Sequence, residues 1–108
     1  MAASCCVWVE DFTFEGVMIH SNVVRRAGPP RADFFITFDD YEYALRLRYG
    51  LREKICFVPA AKMVRTLNGR VPGPGWKRYF AFRNQLVICR CYGENALVAH
   101  VIAFDGVF

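Results

Sequence analysis

The sequence predicts a small α+β domain, mostly β, with antiparallel strands in a small barrel or curled sheet and one α-helix at about residues 40–49 capping it. Three observations carry that expectation. Residues 39–59, DDYEYALRLRYGLREKICFVP, read as a helix that runs at once into an apolar strand. Short apolar runs separated by Gly, Pro and Asn turn signals fill much of the remaining chain. A length of 108 residues with 55% hydrophobic and 16% aromatic content suits one domain with one core and excludes a disordered chain.

In chain order, residues 5–19 hold two apolar pieces around Glu10 and Asp11, read as one bent strand or a hairpin turning near Glu15 and Gly16. Residues 23–31, VVRRAGPPR, read as an exposed loop, because Gly28-Pro29-Pro30 belongs neither in a helix nor in a central strand. Residues 33–38, DFFITF, read as a short strand. The helix then has Asp39 as N-cap and Glu42 as its capping-box partner. Its acids crowd the positive helix start and Arg46 and Arg48 sit near the negative end, with Gly50 as the left-handed stop. Tyr41, Ala44, Leu45, Leu47 and Leu51 share its apolar face. Arg48 falls inside that face and must snorkel or find a carboxylate.

Residues 54–58 form the next strand, ended by Pro59. Residues 60–67 read as irregular or as one helical turn, and residues 68–75, NGRVPGPG, as a loop. Residues 76–83, WKRYFAFR, and 86–92, LVICRCY, read as antiparallel strands joined by a tight turn at Asn84. Residues 96–104, ALVAHVIAF, read as a central strand.

Net charge is +4, unevenly spread: residues 1–45 hold three bases and seven acids, residues 46–90 eleven bases and one acid. A basic middle between acidic ends either faces an acidic partner such as nucleic acid or pairs with those ends. The five cysteines are odd in number and follow no secretion-type leader, so reduced thiols packed as small hydrophobes are expected. No apolar run approaches the ~20 residues of a membrane span.

No catalytic constellation accompanies the cysteines, His20 or His100. Cys89 and Cys91 stand in Cys-x-Cys spacing, not the two-to-four-residue separation of a zinc knuckle. Residues 68–75 lack the Lys-Ser/Thr ending of a phosphate loop. The expectation is no enzyme, no metal and no cofactor. RNA contact has more support: Trp76, Tyr79, Phe80 and Phe82 interleave with Lys77, Arg78 and Arg83, with Arg90 nearby, as stacking rings beside cations do in RNA-binding sheets. The opposing reading is that Phe80 and Phe82 fill the core.

Three motifs in order, EYALRLRYGLREKICFVP (42–59), RVPGPGWKRYFAFR (70–83) and CYGENALVAHVIAF (91–104), cover about half the chain. Together they resemble the N-terminal globular domain of coronavirus non-structural protein one, the leader protein. The resemblance does not extend over the first 35 residues. It implies an irregular antiparallel β-barrel of about six strands with one helix, no enzymatic activity, and suppression of host gene expression at the translation or mRNA level. The implied partners are the host translation machinery or mRNA, in the host cytoplasm with the nucleus also open. The expected contact surface is Arg25, Arg26, Arg70, Lys77, Arg78 and Arg83, in or beside the two exposed loops. The alternative is an interaction or dimerisation module of another family, working through a sheet edge or apolar patch without nucleic acid.

Overall fold

The computed structural model describes residues 6–66 and 75–93. Arg70, the 96–104 segment, Cys5 and His100 lie outside them, as does all but Gly75 of the 68–75 loop. In chain order the elements are β1 (Val7–Val9), α1 (Ser21–Ala27), a 3-10 turn (Ala32–Phe34), α2 (Asp39–Leu45) with a π-helical extension (Arg46–Gly50), β2 (Ile55–Phe57) and α3 (Gly75–Tyr92).

This corrects the expected fold class. Helix dominates, and the sheet among the described residues has two strands, not about six. β1 and β2 pair antiparallel with Val7 opposite Phe57, Trp8 opposite Cys56 and Val9 opposite Ile55. Cys6 and Cys56 are joined as a disulfide with Cα atoms 5.8 Å apart, within the span such a bond bridges. The expectation of reduced thiols is therefore wrong for this pair, while Cys89 and Cys91 are free.

The largest error concerns residues 76–92, which form one helix rather than two strands and a turn. Phe80 and Phe82 alternate as in a strand, but Ala81, Asn84, Gln85 and Ile88 are the buried positions. Their i, i+3, i+4, i+7 spacing is one helical face. Two of the four are polar, so apolar periodicity concealed the helix. Asn84 resembled a turn residue because its role is a buried polar contact.

Residues 23–31 are likewise not all loop. His20 starts α1, its Nδ1 accepting from the Asn22 N–H at 3.1 Å, and Gly28 ends it at φ 78°. Tyr43 Oη donates to the Gly28 carbonyl at 2.8 Å, and Arg46 donates to the Ala27 and Pro29 carbonyls at 3.0 and 2.8 Å. The Gly-Pro-Pro turn is thus anchored on α2. Residues 33–38 are not a strand: after the 3-10 turn, Phe35, Thr37 and Phe38 all take positive φ.

The α2 region forms where expected, with different ends. Its N-cap is Phe38, in the left-handed region, and not Asp39. Glu42 is buried instead of serving as a capping partner. It bridges to Arg46 and accepts from Tyr92 Oη at 2.7 Å. Gly50 does not take the left-handed stop; Arg52 does, at φ 57°. The helix closes instead by an i to i+5 bond from Leu51 N–H to the Arg46 carbonyl. Arg48 finds the Glu10 carbonyl at 3.1 Å rather than a carboxylate.

The core lies between α2 and α3: Phe34, Phe38, Leu45, Ala81 and Ile88, with Tyr41, Val87 and Tyr92 against it. Burial and the hydrogen bond to Glu42 push the Tyr92 phenol up, so it remains a donor. Among the described residues no helix is long and apolar enough to cross a membrane.

Candidate functional site

The face of α3 opposite the core carries exposed rings. Tyr79, Phe82 and Leu86, spaced three and four residues apart, are 64%, 65% and 65% exposed. Their spacing sets these apolar side chains on one outer stripe of the packed helix. Four cations, Lys77, Arg78, Arg83 and Arg90, share α3 with no acid along its length. Lys77 and Arg78 occupy the first turn, where they add to the positive helix end instead of offsetting it. An anion near that end is favoured by both.

Trp76 and Phe80 join this face to a second element. The Phe35 ring lies 5.8 Å from Trp76 and 5.2 Å from Phe80. Trp76 and Phe80 meet edge-on at 6.2 Å, and Tyr79 meets Phe80 edge-on at 5.3 Å. Lys77 Nζ stands 6.0 Å from the Trp76 ring centre, and the Arg83 guanidinium covers Phe80 at 4.6 Å.

Phe35 is held there by an unusual backbone. Its φ of 62° and ψ of −60°, with Ile36 N–H donating to the Phe34 carbonyl at 2.6 Å, define a γ-turn of the strained, positive-φ kind. Asn84, fully buried, donates through Nδ2 to the carbonyls of Phe34, Ile36 and Thr37 at 2.9, 3.0 and 2.9 Å. Arg83 donates to the Asp33 carbonyl and to Asn84 Oδ1. Asn84 is therefore oriented from both ends. Asp33 is in turn paired to Arg31, which holds its carboxyl below the usual carboxylate range.

The structure divides the six cations expected to form one surface. Arg25 and Arg26 sit on α1, where Arg25 reaches Asn22 Oδ1 at 3.4 Å and Arg26 bridges to Glu53. Arg83 turns to the Phe35 loop and is a positioning group. Arg70 lies outside the described residues. Lys77 and Arg78 remain exposed on α3, and Arg78 makes no hydrogen bond or ion pair among the described residues. The opposing reading, in which Phe80 and Phe82 fill the core, fails: Phe82 is exposed and Phe80 is half-buried outside the core cluster. Phe35 and Asn84 were not foreseen. No glycine marks the positive-φ turn, and nothing local distinguishes Asn84 from a turn residue.

A concavity of about 570 Å³ lies beside the two-stranded sheet, lined by Phe12, Val17, Ile19, Ile55, Phe57 and Met63 among others. Of its carboxylates, Glu15 is already bridged to Arg65. Among the described residues no group of three or more His, Cys, Asp or Glu side chains is placed to hold a metal ion. Comparison with protein families, characterised proteins and solved structures gives no match.

Proposed function

We propose that this protein is a non-enzymatic binder of single-stranded RNA that works through α3. In the setting the sequence resemblance implies, it lowers host gene expression by engaging mRNA or the translation machinery in the cytoplasm. The observation that carries the binding reading is the exposed run of Trp76, Tyr79, Phe82 and Leu86 on a helix bearing Lys77, Arg78 and Arg90 and no acid. Rings supply stacking that tolerates any base, and cations supply phosphate contacts. The host-expression part rests on the three sequence motifs alone, because the barrel that the resemblance implies is absent from the described residues.

The test is a fluorescence-anisotropy titration of labelled oligouridine across a salt series, with wild type and a Lys77→Glu/Arg78→Glu/Arg90→Glu variant. Affinity of the wild type should fall with salt, with a log–log slope near −2 if about three phosphates are neutralised at ~0.7 each. The variant should lose most binding, and should lose suppression of a translated reporter in cells. Salt-independent binding, or a variant with full affinity and full suppression, would contradict the proposal.

A second reading is favoured by one observation. Tyr79, Phe82 and Leu86 form an apolar stripe that a second copy could cover. Sedimentation across a concentration series, with Phe82→Ser as control, separates self-association from RNA binding.

A further inference from the structure

Resting on the RNA-binding reading, we propose that Phe35 is itself a ligand-contacting residue. It forms the movable wall of a cleft in which one unpaired base stacks against Trp76. A γ-turn with positive φ is costly for any residue with a Cβ, and strain of this kind clusters at ligand clamps. The turn sets the core residues Phe34 and Phe38 on either side of it, and the Phe35 side chain it displays is 67% exposed. The loop is nevertheless over-determined: the fully buried Asn84 ties three of its carbonyls, and Arg83 ties a fourth at Asp33. What these bonds fix is the backbone that carries one exposed ring beside Trp76 and Phe80.

The unliganded rings already touch, at 5.8 Å and an interplanar angle of 50° for Phe35 and Trp76. A sandwiched base needs about 6.8 Å between its neighbours, twice the 3.4 Å stacking rise. The cleft therefore opens by about 1 Å, with the rings turning parallel. Phe35 is the side that moves. Trp76 belongs to a helix of 18 residues packed on the core, whereas the exposed Phe35 ring turns about its own side-chain bonds while its tied backbone stays in place. The occupant is a nucleobase and not an apolar peptide side chain, because the adjoining helix offers cations and no acid to the chain that carries it. Asn84 acts as a positioning residue in this account.

Phe35→Gly separates display from packing, since glycine accepts the positive φ while the ring is lost. Wild type and variant are titrated with oligouridine of about twelve nucleotides and with an abasic sugar–phosphate oligomer of equal length. The variant should melt at or above the wild-type temperature and bind oligouridine about tenfold more weakly, the loss expected for one stacked ring. Its affinity for the abasic oligomer and its salt slope should not change, because no cation is removed. Wild-type affinity for oligouridine in the variant overturns the assignment of Phe35 and leaves the RNA-binding reading standing. A melting temperature several degrees lower also overturns it, by making the ring a packing element. Failure of the wild type itself to bind oligouridine overturns both.

Discussion

Asn84 offers the sharpest test of how the fold holds its exposed aromatic cluster. Its side-chain amide is fully buried and donates to the carbonyls of Phe34, Ile36 and Thr37 within 3.0 Å. In Asn84→Ala those acceptors lose this donor. Removing a partner from a buried polar group costs about 1–3 kcal/mol. Two of the three bonds are part-buried, which favours the lower end for them. The amide carries two N–H groups shared among the three carbonyls, so two losses at ~1 kcal/mol give a destabilisation of about 2 kcal/mol. For a domain of this size that lowers the melting temperature by roughly 8–15 °C.

Asn84→Asp is nearly isosteric but replaces the donor with a carboxylate facing carbonyl oxygens. Full burial and the facing carbonyls favour the protonated carboxyl and outweigh the Arg83 guanidinium at the other oxygen, so its pKa rises above the unfolded value of about 3.9. The stability it contributes is present below that value and is lost as pH rises through the folded pKa. Asn84→Asp should therefore be worse than Asn84→Ala at pH 7, and its deficit relative to wild type should shrink toward pH 3. Circular-dichroism melts at both pH values read this directly. If both variants melt within about 2 °C of wild type at pH 7, or the deficit of Asn84→Asp is independent of pH, the clamp is not what holds the loop.

Two further outcomes follow from groups remote from this cluster. Burial, with Asp39 adding like charge, raises the Asp40 carboxyl despite the hydrogen bond from Tyr41 N–H at 2.8 Å, so its ionised form opposes folding. Asp40→Asn keeps an acceptor for that N–H; it should melt higher than wild type at pH 7, and the advantage should vanish as pH falls below the ordinary value of 3.8. Cys6 and Cys56 close a loop with a sequence separation of 50, so reduction should cost up to about 4 kcal/mol in the chain-entropy account. Unfolding in urea with and without dithiothreitol measures that difference, and coincident curves would mean the bond constrains nothing.

The sequence was readable where local chemistry and burial agree. The α2 region and β2 are visible because the apolar positions of α2 lie on its buried face and Pro59 bounds the strand run. α3 was misread because its buried face carries Asn84 and Gln85 while Tyr79, Phe82 and Leu86 face outward. A helix whose polar groups point in and whose rings point out defeats any assignment made from apolar periodicity. Trp76, Tyr79 and Phe82, rings that the sequence interleaves with Lys77 and Arg78, are exposed, and the RNA contact read from them is the proposal. That reading depends on composition and not on whether the backbone is strand or helix. Phe35 could not have been found in the same way. Its turn is imposed by Asn84 and Arg83 from about fifty residues away, and a long-range contact overriding local preference leaves no local signature.

Photo-crosslinking tests the central claim, that α3 carries the RNA-binding surface, most directly. The chain is irradiated with single-stranded oligouridine, digested, and the modified peptides are read by mass spectrometry. The account predicts crosslinks concentrated at Trp76 and Tyr79, with Phe35, distant in sequence but beside Trp76 in space, as the third site, and their disappearance at high salt. Crosslinks confined to α1 around Arg25 and Arg26, or none anywhere at concentrations where binding is measured, would contradict it.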